Sequence, residues 1–263
     1  MDIKELKVVG NEDEKRNHPW EYARCKVIFD IIKPYIHEFS EPLNVLDIGC
    51  GDLFFLNQFC QNFSAFNPLA VDKALDDELI SLLKKKYQDL PVDIYKNFQD
   101  VRLREGYANI VFLLDVIEHI ENNQDFLELL SHQTYITKNS LFLITAPAFN
   151  NLFSAHDKWL GHYRRYSHKE LKRTTENAGF QYIKGGYFFT TLLLTRMIQK
   201  ILQILWKERK KEIQGIGNWN GGKISSFLLV KILLCDYYVS KLFFLIGIKI
   251  PGLSTYILCK PLL

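Results

Sequence analysis

Between Pro147 and Leu171 the chain carries a dense run of side chains that can move protons or hold anions: Asn150, His156, Asp157, His162, Tyr163, Arg164, Arg165, Tyr166 and His168. Histidine takes a proton most readily near neutral pH, so His162 and His156 are the candidate general bases for activating a hydroxyl. Arg164 and Arg165 can clamp a phosphate or carboxylate, although one of them can equally pair with Glu170. Together with Tyr166 they are the candidate substrate contacts. A zinc reading of His156, Asp157 and His162 fails on spacing and lacks a fourth ligand, so no metal is expected.

A second chemical stretch is Asn44-Val-Leu-Asp-Ile-Gly-Cys-Gly-Asp52. Val45, Leu46 and Ile48 suit a buried parallel strand, and Gly49 and Gly51 permit a sharp turn before the apolar spacing of a helix resumes. A dinucleotide loop needs a third glycine at the sixth position, where this chain has Phe54, so an NAD-dependent oxidoreductase is disfavoured. Asp47 and Asp52 flank the loop with negative charge. They would repel phosphate and suit a cofactor presenting an ammonium and a sulfonium.

These groups need a scaffold, and composition bounds it. With 263 residues, 48% hydrophobic and 24% charged, the chain can form one α/β domain with an insertion. A net charge of +3 gives no argument for nucleic acid. Five cysteines (Cys25, Cys50, Cys60, Cys235, Cys259) form no CxxC pair, and a reducing, cytoplasmic compartment is expected. The charged start, Met1 to Val9, offers no apolar core of signal-peptide length.

In chain order, a helix is expected from His18 to about residue 39, interrupted at Pro34. Pro68–Asp72 reads as the second strand, ending in a carboxylate that can accept ribose hydroxyls or cap the next helix, Asp76–Tyr87. Val92–Tyr95 is the third strand and Ile110–Leu114 the fourth, with Asp115 at its carboxyl end, where open α/β sheets bind ligands. A helix at Gln124–Gln133 precedes the fifth strand, Ser140–Ala146. Ser167 and Glu170 form a capping box for a helix over Leu171–Ala178, and Gln181–Lys184 is the sixth strand. The last strand is expected at Ser254–Cys259. Residues 188–251 then form an insertion with two apolar segments, Phe188–Trp206 and Ile224–Ile248, separated by the basic run Lys207–Lys211. Neither segment offers about 18 uncharged residues in a row, which argues against a membrane span. The segments are expected either to cap a substrate pocket or to lie in a membrane interface, at the inner face of the membrane.

Val45-Leu-Asp-Ile-Gly-Cys-Gly51 resembles the first motif of class I S-adenosylmethionine (SAM)-dependent methyltransferases, and Leu114-Asp-Val-Ile-Glu-His119 resembles their fourth-strand motif. His18, Trp20 and Arg24, with Gly161-His-Tyr-Arg-Arg-Tyr166, resemble a bacterial subgroup of that family, although Trp20 can equally be a core anchor. The resemblance implies a Rossmann-like seven-stranded sheet with helices on both faces. It also implies SAM as cofactor and S-adenosylhomocysteine as product. The implied cofactor-binding residues are Asp47, Gly49, Cys50, Gly51, Asp72, Lys73, Asn97, Phe98, Asp115, Val116 and His119, with Asn97 and Phe98 at the adenine. Residues 1–40 would be a helical cap, residues 41–187 and 252–263 the SAM-binding domain. Two departures stand out. Asn109 replaces an Asp of the family's Phe-Asp pair, and Leu53 occupies the place of a third glycine, where it could crowd the methionine end of SAM unless it points into the sheet.

The Asn/Asp-Pro-Pro-Tyr run of amino-methylating nucleic-acid enzymes and the Pro-Cys of cytosine-5 enzymes are both missing after the fourth strand. This leaves a small-molecule, sugar or lipid-linked acceptor, methylated at a hydroxyl, and no nucleic acid. The rival reading is a catalytically silent relative that binds a membrane or protein partner through 188–251.

Overall fold

A computed structural model of the chain describes residues 18–39, 42–63, 66–103, 105–205 and 221–263. The basic run at Lys207–Lys211 and the segment before His18 lie outside the described residues. Seven strands form one sheet: β1 Leu43–Ile48, β2 Phe66–Val71, β3 Asp93–Tyr95, β4 Ile110–Leu114, β5 Leu141–Pro147, β6 Phe180–Phe188 and β7 Ser254–Pro261. Their spatial order is β3-β2-β1-β4-β5-β7-β6, with β7 antiparallel to both of its neighbours and the other pairings parallel. The order reverses between β1 and β4, and the crevice at such a switch point is where open α/β sheets take ligands.

The central strands are buried on both faces, and their residues alternate between two cores. On one side lie Ile110 and Phe112 of β4, Leu141 and Leu143 of β5, and Tyr256 and Leu258 of β7. On the other lie Val111 and Leu113, Phe142 and Ile144, and Ile257 and Cys259. The first core is covered by α1 (Pro19–Ile36), α2 (Phe54–Asn62) and α8 (Lys223–Leu245), the second by α4 (Asn123–Ser131) and α6 (His168–Asn177). Phe59 sits at the centre of the first, with its ring centroid 5.2 Å from Phe112, 5.0 Å from Phe66 and 5.8 Å from Phe29. The remaining helices are α3 (Asp77–Lys86), α5 (Ala155–Leu160) and α7 (Thr190–Leu205).

Two local expectations change. Helix α1 runs through Pro34 to Ile36, because burial of Ile31, Ile32 and Ile36 against the core outweighs the single hydrogen bond that proline removes. Strand β6 extends to Phe188 because β7 pairs along its whole length, from Phe180 opposite Pro261 to Phe188 opposite Ser254. His119 lies in a 3-10 turn, Ile117–His119.

In the insertion, α8 packs on α1 through buried Leu233 and Tyr237. Tyr237 donates to Asp30 Oδ2 at 2.6 Å, and Lys241 pairs with the same carboxylate. Helix α7 is tied to α8 where the Thr191 amide and hydroxyl donate to Asp236 Oδ2, at 2.9 and 2.6 Å. Among the described residues no helix is long and apolar enough to cross a membrane.

The chain returns to the sheet at Gly252, where any Cβ would overlap the Phe188 backbone. Gly252→Ala should therefore lower stability by about 2 kcal/mol, the cost of forcing volume into a packed site. Gly222→Ser, at a helix N-cap with open space around it, should be near neutral. Chemical denaturation of the two variants checks the pair.

Candidate active site

The site is assembled from the carboxyl ends of β1, β2 and β4. After β1 the chain turns through Gly49, whose positive φ and position leave no room for a side chain: a Cβ there would sit 2.5 Å from Val116 Cγ2. The glycine loop and the turn after β4 are thus in direct contact. The Gly49 and Cys50 amides donate to the Val71 carbonyl at 2.7 and 3.2 Å. The Gly51 amide donates to Asp72 Oδ2 at 3.1 Å and the Ala74 amide to Asp72 Oδ1 at 2.9 Å. Asp72 therefore caps its own turn and also fixes the loop. Cys50 is buried, which holds its thiol well above the usual range, reinforced by the Asp47, Asp72 and Asp52 carboxylates.

Leu53 adopts a left-handed conformation with φ 61° at the start of α2, a place glycine would fill without strain. Its side chain is fully buried in the apolar core beside Phe54 and Leu56.

Asp115 also has positive φ, 58°. Its Oδ2 pairs with Arg24 Nη2 at 3.0 Å and its Oδ1 accepts from the Thr145 hydroxyl at 2.9 Å, while Arg24 Nη2 reaches Thr145 Oγ1 at 3.2 Å. The Arg24 guanidinium lies over the Trp20 ring, 5.2 Å from its centroid. His18 caps that helix, its Nδ1 accepting from the Trp20 amide. Thr145 is a site residue that sequence reasoning missed. The signal was its polarity inside the otherwise apolar run of β5.

Asp47 is fully buried, and its Oδ1 has no hydrogen-bond partner among the described residues. Burial pushes its carboxyl up to about 7, opposed by Arg24 and reinforced by Asp72 and Asp52. Lys73 and Asn97 are exposed. Asn97 Nδ2 donates to Asp100 at 3.1 Å, and Phe98 meets Phe126 edge-on with ring centroids 5.5 Å apart. Both follow β3, whose Tyr95 carbonyl accepts from the Asp72 amide.

The loop after β5 converges on Asp157. Ser154 and Asp157 form a capping box at the start of α5. Arg165 reaches Asp157 with Nε at 2.8 Å and Nη2 at 3.2 Å, and His162 Nδ1 lies 3.0 Å from Asp157 Oδ1. Although burial opposes it, the bonds from His162 and Arg165 hold this carboxyl well below the usual range. The His162 ring stands edge-on to His119, with centroids 4.5 Å apart. His156 stacks on Trp159, and burial lowers its pKa despite Asp157. Arg164 donates to the Glu121 carbonyl at 2.7 Å. Tyr166 is buried, its hydroxyl bonded to Asn123 and to the Ile117 carbonyl. Glu170 pairs with Ser167 as the capping box requires, and not with either arginine. Glu118, which drew no attention in the sequence, is fully buried beside this loop, with neither carboxylate oxygen partnered among the described residues. Burial, reinforced by Asp115, holds its carboxyl well above the usual range.

The sequence model of the methyltransferase-domain family matches residues 20–184. The chain belongs to the class I SAM-dependent methyltransferases. Among curated proteins it is similar to the ubiquinone biosynthesis O-methyltransferases of Rickettsia typhi (26% identical over 129 residues, 49% of this chain and 50% of that protein) and of Rickettsia bellii strain OSU 85-389 (27% over 104 residues, 40% and 42%). The chain spans about half the length of the curated relatives it matches. Among solved structures, the plantazolicin methyltransferase BamL, in complex with a triazolic desmethylPZN analog and S-adenosylhomocysteine, has a TM-score of 0.54 at 16% identity (92% of this chain, 86% of that one). The [4+2]-cyclase SpnF has a TM-score of 0.55 at 11% identity (95% and 85%). These two likenesses concern the fold, and the second belongs to a protein named for a different reaction.

The cofactor of this methyltransferase is SAM, and the loop suits it. Asp47 offers a buried acceptor without a partner, and three carboxylates around two glycine turns favour a cation over a phosphate. In the unfolded chain Asp47 titrates near about 4. Its folded value of about 7 means that its contribution to stability falls as pH rises through that window and is least above it. Asp47→Asn should therefore unfold at a higher temperature than the wild type at pH 8, with the difference shrinking as pH falls and vanishing below about pH 4. The same variant should bind SAM about tenfold or more weakly, the worth of one charged hydrogen bond. Wild-type affinity should fall between pH 7.5 and pH 6, as the cation must then displace a proton. Calorimetry and thermal melts at the stated pH values read all three.

Proposed function

We propose that this protein transfers the methyl group of SAM to a hydroxyl oxygen of a small-molecule or lipid-linked acceptor. The observation that carries the reading is the Asp157–His162 pair in the loop beside the β4 turn. A carboxylate on Nδ1 fixes the imidazole's orientation and tautomer, leaving Nε2 as the proton acceptor. In this reading Asp47, Gly49, Cys50, Gly51, Asp72, Lys73, Asn97, Phe98, Asp115 and Val116 surround the cofactor. Asp47 meets the ammonium, Asp72 the ribose hydroxyls, and Phe98 with Asn97 the adenine. The cofactor supplies an activated methyl group for in-line displacement, so the protein's work is to align the acceptor, exclude water and remove a proton. Arg164, whose guanidinium bonds only a backbone carbonyl, that of Glu121, is the candidate substrate contact of the three, since Arg165 is committed to Asp157 and Tyr166 to the turn beneath it. The two relatives named for O-methylation support a hydroxyl acceptor. Burial of Leu53 in the core supports an open cofactor site over a silent relative.

Lipid contact is supported by the insertion. Met197, Ile198 and Ile201 of α7, and Ile224, Phe227, Leu228, Leu242 and Leu245 of α8, are exposed. Interspersed lysines can reach headgroups while their stems lie along apolar surface. A cavity of about 860 Å³ lies between α1 and α8, with Phe29, Phe63, Phe227, Val230 and Leu234 on its walls and Lys26, Lys33, Lys223 and Lys231 around it, a lining suited to an anionic amphiphile.

His162→Gln should lower kcat by about 10²–10⁴-fold against a phenolic acceptor panel, the usual worth of a positioned base, with the SAM dissociation constant unchanged. Retention of full kcat would remove His162 from the mechanism. Phe227→Ser combined with Leu242→Ser should reduce co-sedimentation with anionic phospholipid vesicles severalfold while leaving the melting temperature within a few degrees. Equal co-sedimentation of variant and wild type would sink the membrane reading.

A further inference from the structure

We propose that the groove between α1 and α8 is a binding site for one molecule of a long-chain fatty acid or a similar single-chain anionic amphiphile. This deepens the lipid-contact reading and rests on it for the source of the ligand, whereas the binding rests on the groove alone. None of the residues lining the groove belongs to the cofactor crevice or to the loop after β5.

Its shape suits an alkyl chain. The groove follows α1 from Pro19 to His37, about 25 Å at the helical rise, and α8 borders it from Lys223 to Tyr238. The end of α2 closes part of it with Asn62 and Phe63. Its volume of about 860 Å³ lies within the range of pockets that enclose one small molecule, about 300–1,000 Å³. Phe29 and Ile36 are buried while Phe227 and Tyr238 are exposed, so the trough has an apolar floor and an apolar rim. A flat bilayer surface reaches the rim but not Phe29, whereas a single chain reaches both.

Charge selects the headgroup. Lys26, Lys33, Lys223 and Lys231 stand around the trough, and among the described residues none of them has a carboxylate partner. Lys26 donates to the neutral amide of Asn62 at 3.1 Å and lies over the Phe29 ring, and Lys231 lies over the Phe227 ring. The carboxylate on the wall, Asp30, is already bonded to Tyr237 and Lys241. The groove therefore presents uncompensated positive charge along low-dielectric walls, an arrangement that concentrates anions. A carboxylate headgroup meets these ammoniums while its chain takes the trough and the lysine stems lie along it. A neutral lipid would leave the four lysines unanswered.

The test titrates full-length protein with cis-parinaric acid, a fluorescent fatty acid, below its micelle-forming concentration, and separately with its methyl ester. Wild type should bind one equivalent of the acid, with the ester at least about tenfold weaker, the worth of a charged hydrogen bond. Val230→Trp, which fills the trough, and Lys33→Glu combined with Lys231→Glu, which reverses its charge, should each weaken binding of the acid at least about tenfold. Both lysines are exposed, so the charge-reversed protein keeps the test valid if Val230→Trp fails to fold. No binding of the acid by folded wild type, unchanged binding after charge reversal, or uptake of many equivalents without saturation would each overturn the site. So would co-sedimentation with anionic vesicles by protein that takes no monomeric acid, which assigns the surface to a bilayer, or a dimer in sedimentation velocity that excludes the acid, which assigns it to a second copy. SAM calorimetry on the same samples separates the readings, because SAM binding without fatty-acid binding leaves the methyltransferase reading standing.

Discussion

The structure depends on how negative charge is accommodated at one edge of the sheet. Strands β1, β2 and β4 are adjacent and parallel, with Ile48 opposite both Val71 and Leu113, and carboxylates sit at or just past their ends. Each carboxylate is balanced differently. Asp72 is held by backbone amides of the loops it joins. Asp115 is neutralised by Arg24 and bonded to Thr145, which also offsets a backbone conformation that costs a non-glycine residue about 1–3 kcal/mol. Asp47 is left with an open buried oxygen. In the proposed reading a cationic cofactor completes the set, so that without it the protein carries a destabilising group in exchange for affinity.

Arg24 comes from outside the sheet, and this explains the placing of the helices. To deliver a guanidinium to Asp115, α1 must lie across the carboxyl edge with its first turn capped by His18 and braced by Trp20. That helix is held in turn by α8, through the Asp30 carboxylate that Tyr237 and Lys241 share. The cap and the insertion, distant in sequence, are therefore parts of one support for the site.

What was legible in the sequence follows the same division. The central strands announced themselves because strands buried on both faces are unbroken apolar runs, and the glycine loop did so because only glycine tolerates the contact at Val116. The seven-stranded Rossmann-like sheet with helices on both faces came from resemblance, which the fold bears out. Contacts between distant residues were not legible. Arg165 engages Asp157 and not Glu170, Thr145 serves Asp115 thirty positions away, and Glu118 is a buried carboxyl beside the loop that follows β5. Pro34 misled because helix propensity is a local quantity, whereas α1 is stabilised by what it packs against.

Helix α8 is apolar on more of its circumference than one packing partner can cover. Leu233 and Tyr237 are buried towards α1, yet Ile224, Phe227, Leu228, Leu242 and Leu245 remain in solvent. A lone exposed leucine needs no explanation, but a run of them along a long helix, continued on α7, has the character of an interaction surface. The cavity beside it is bounded by α1 from Pro19 to His37, so the helix that lines it is the one that carries Arg24. Whatever occupies that cavity touches the same rigid element that neutralises Asp115.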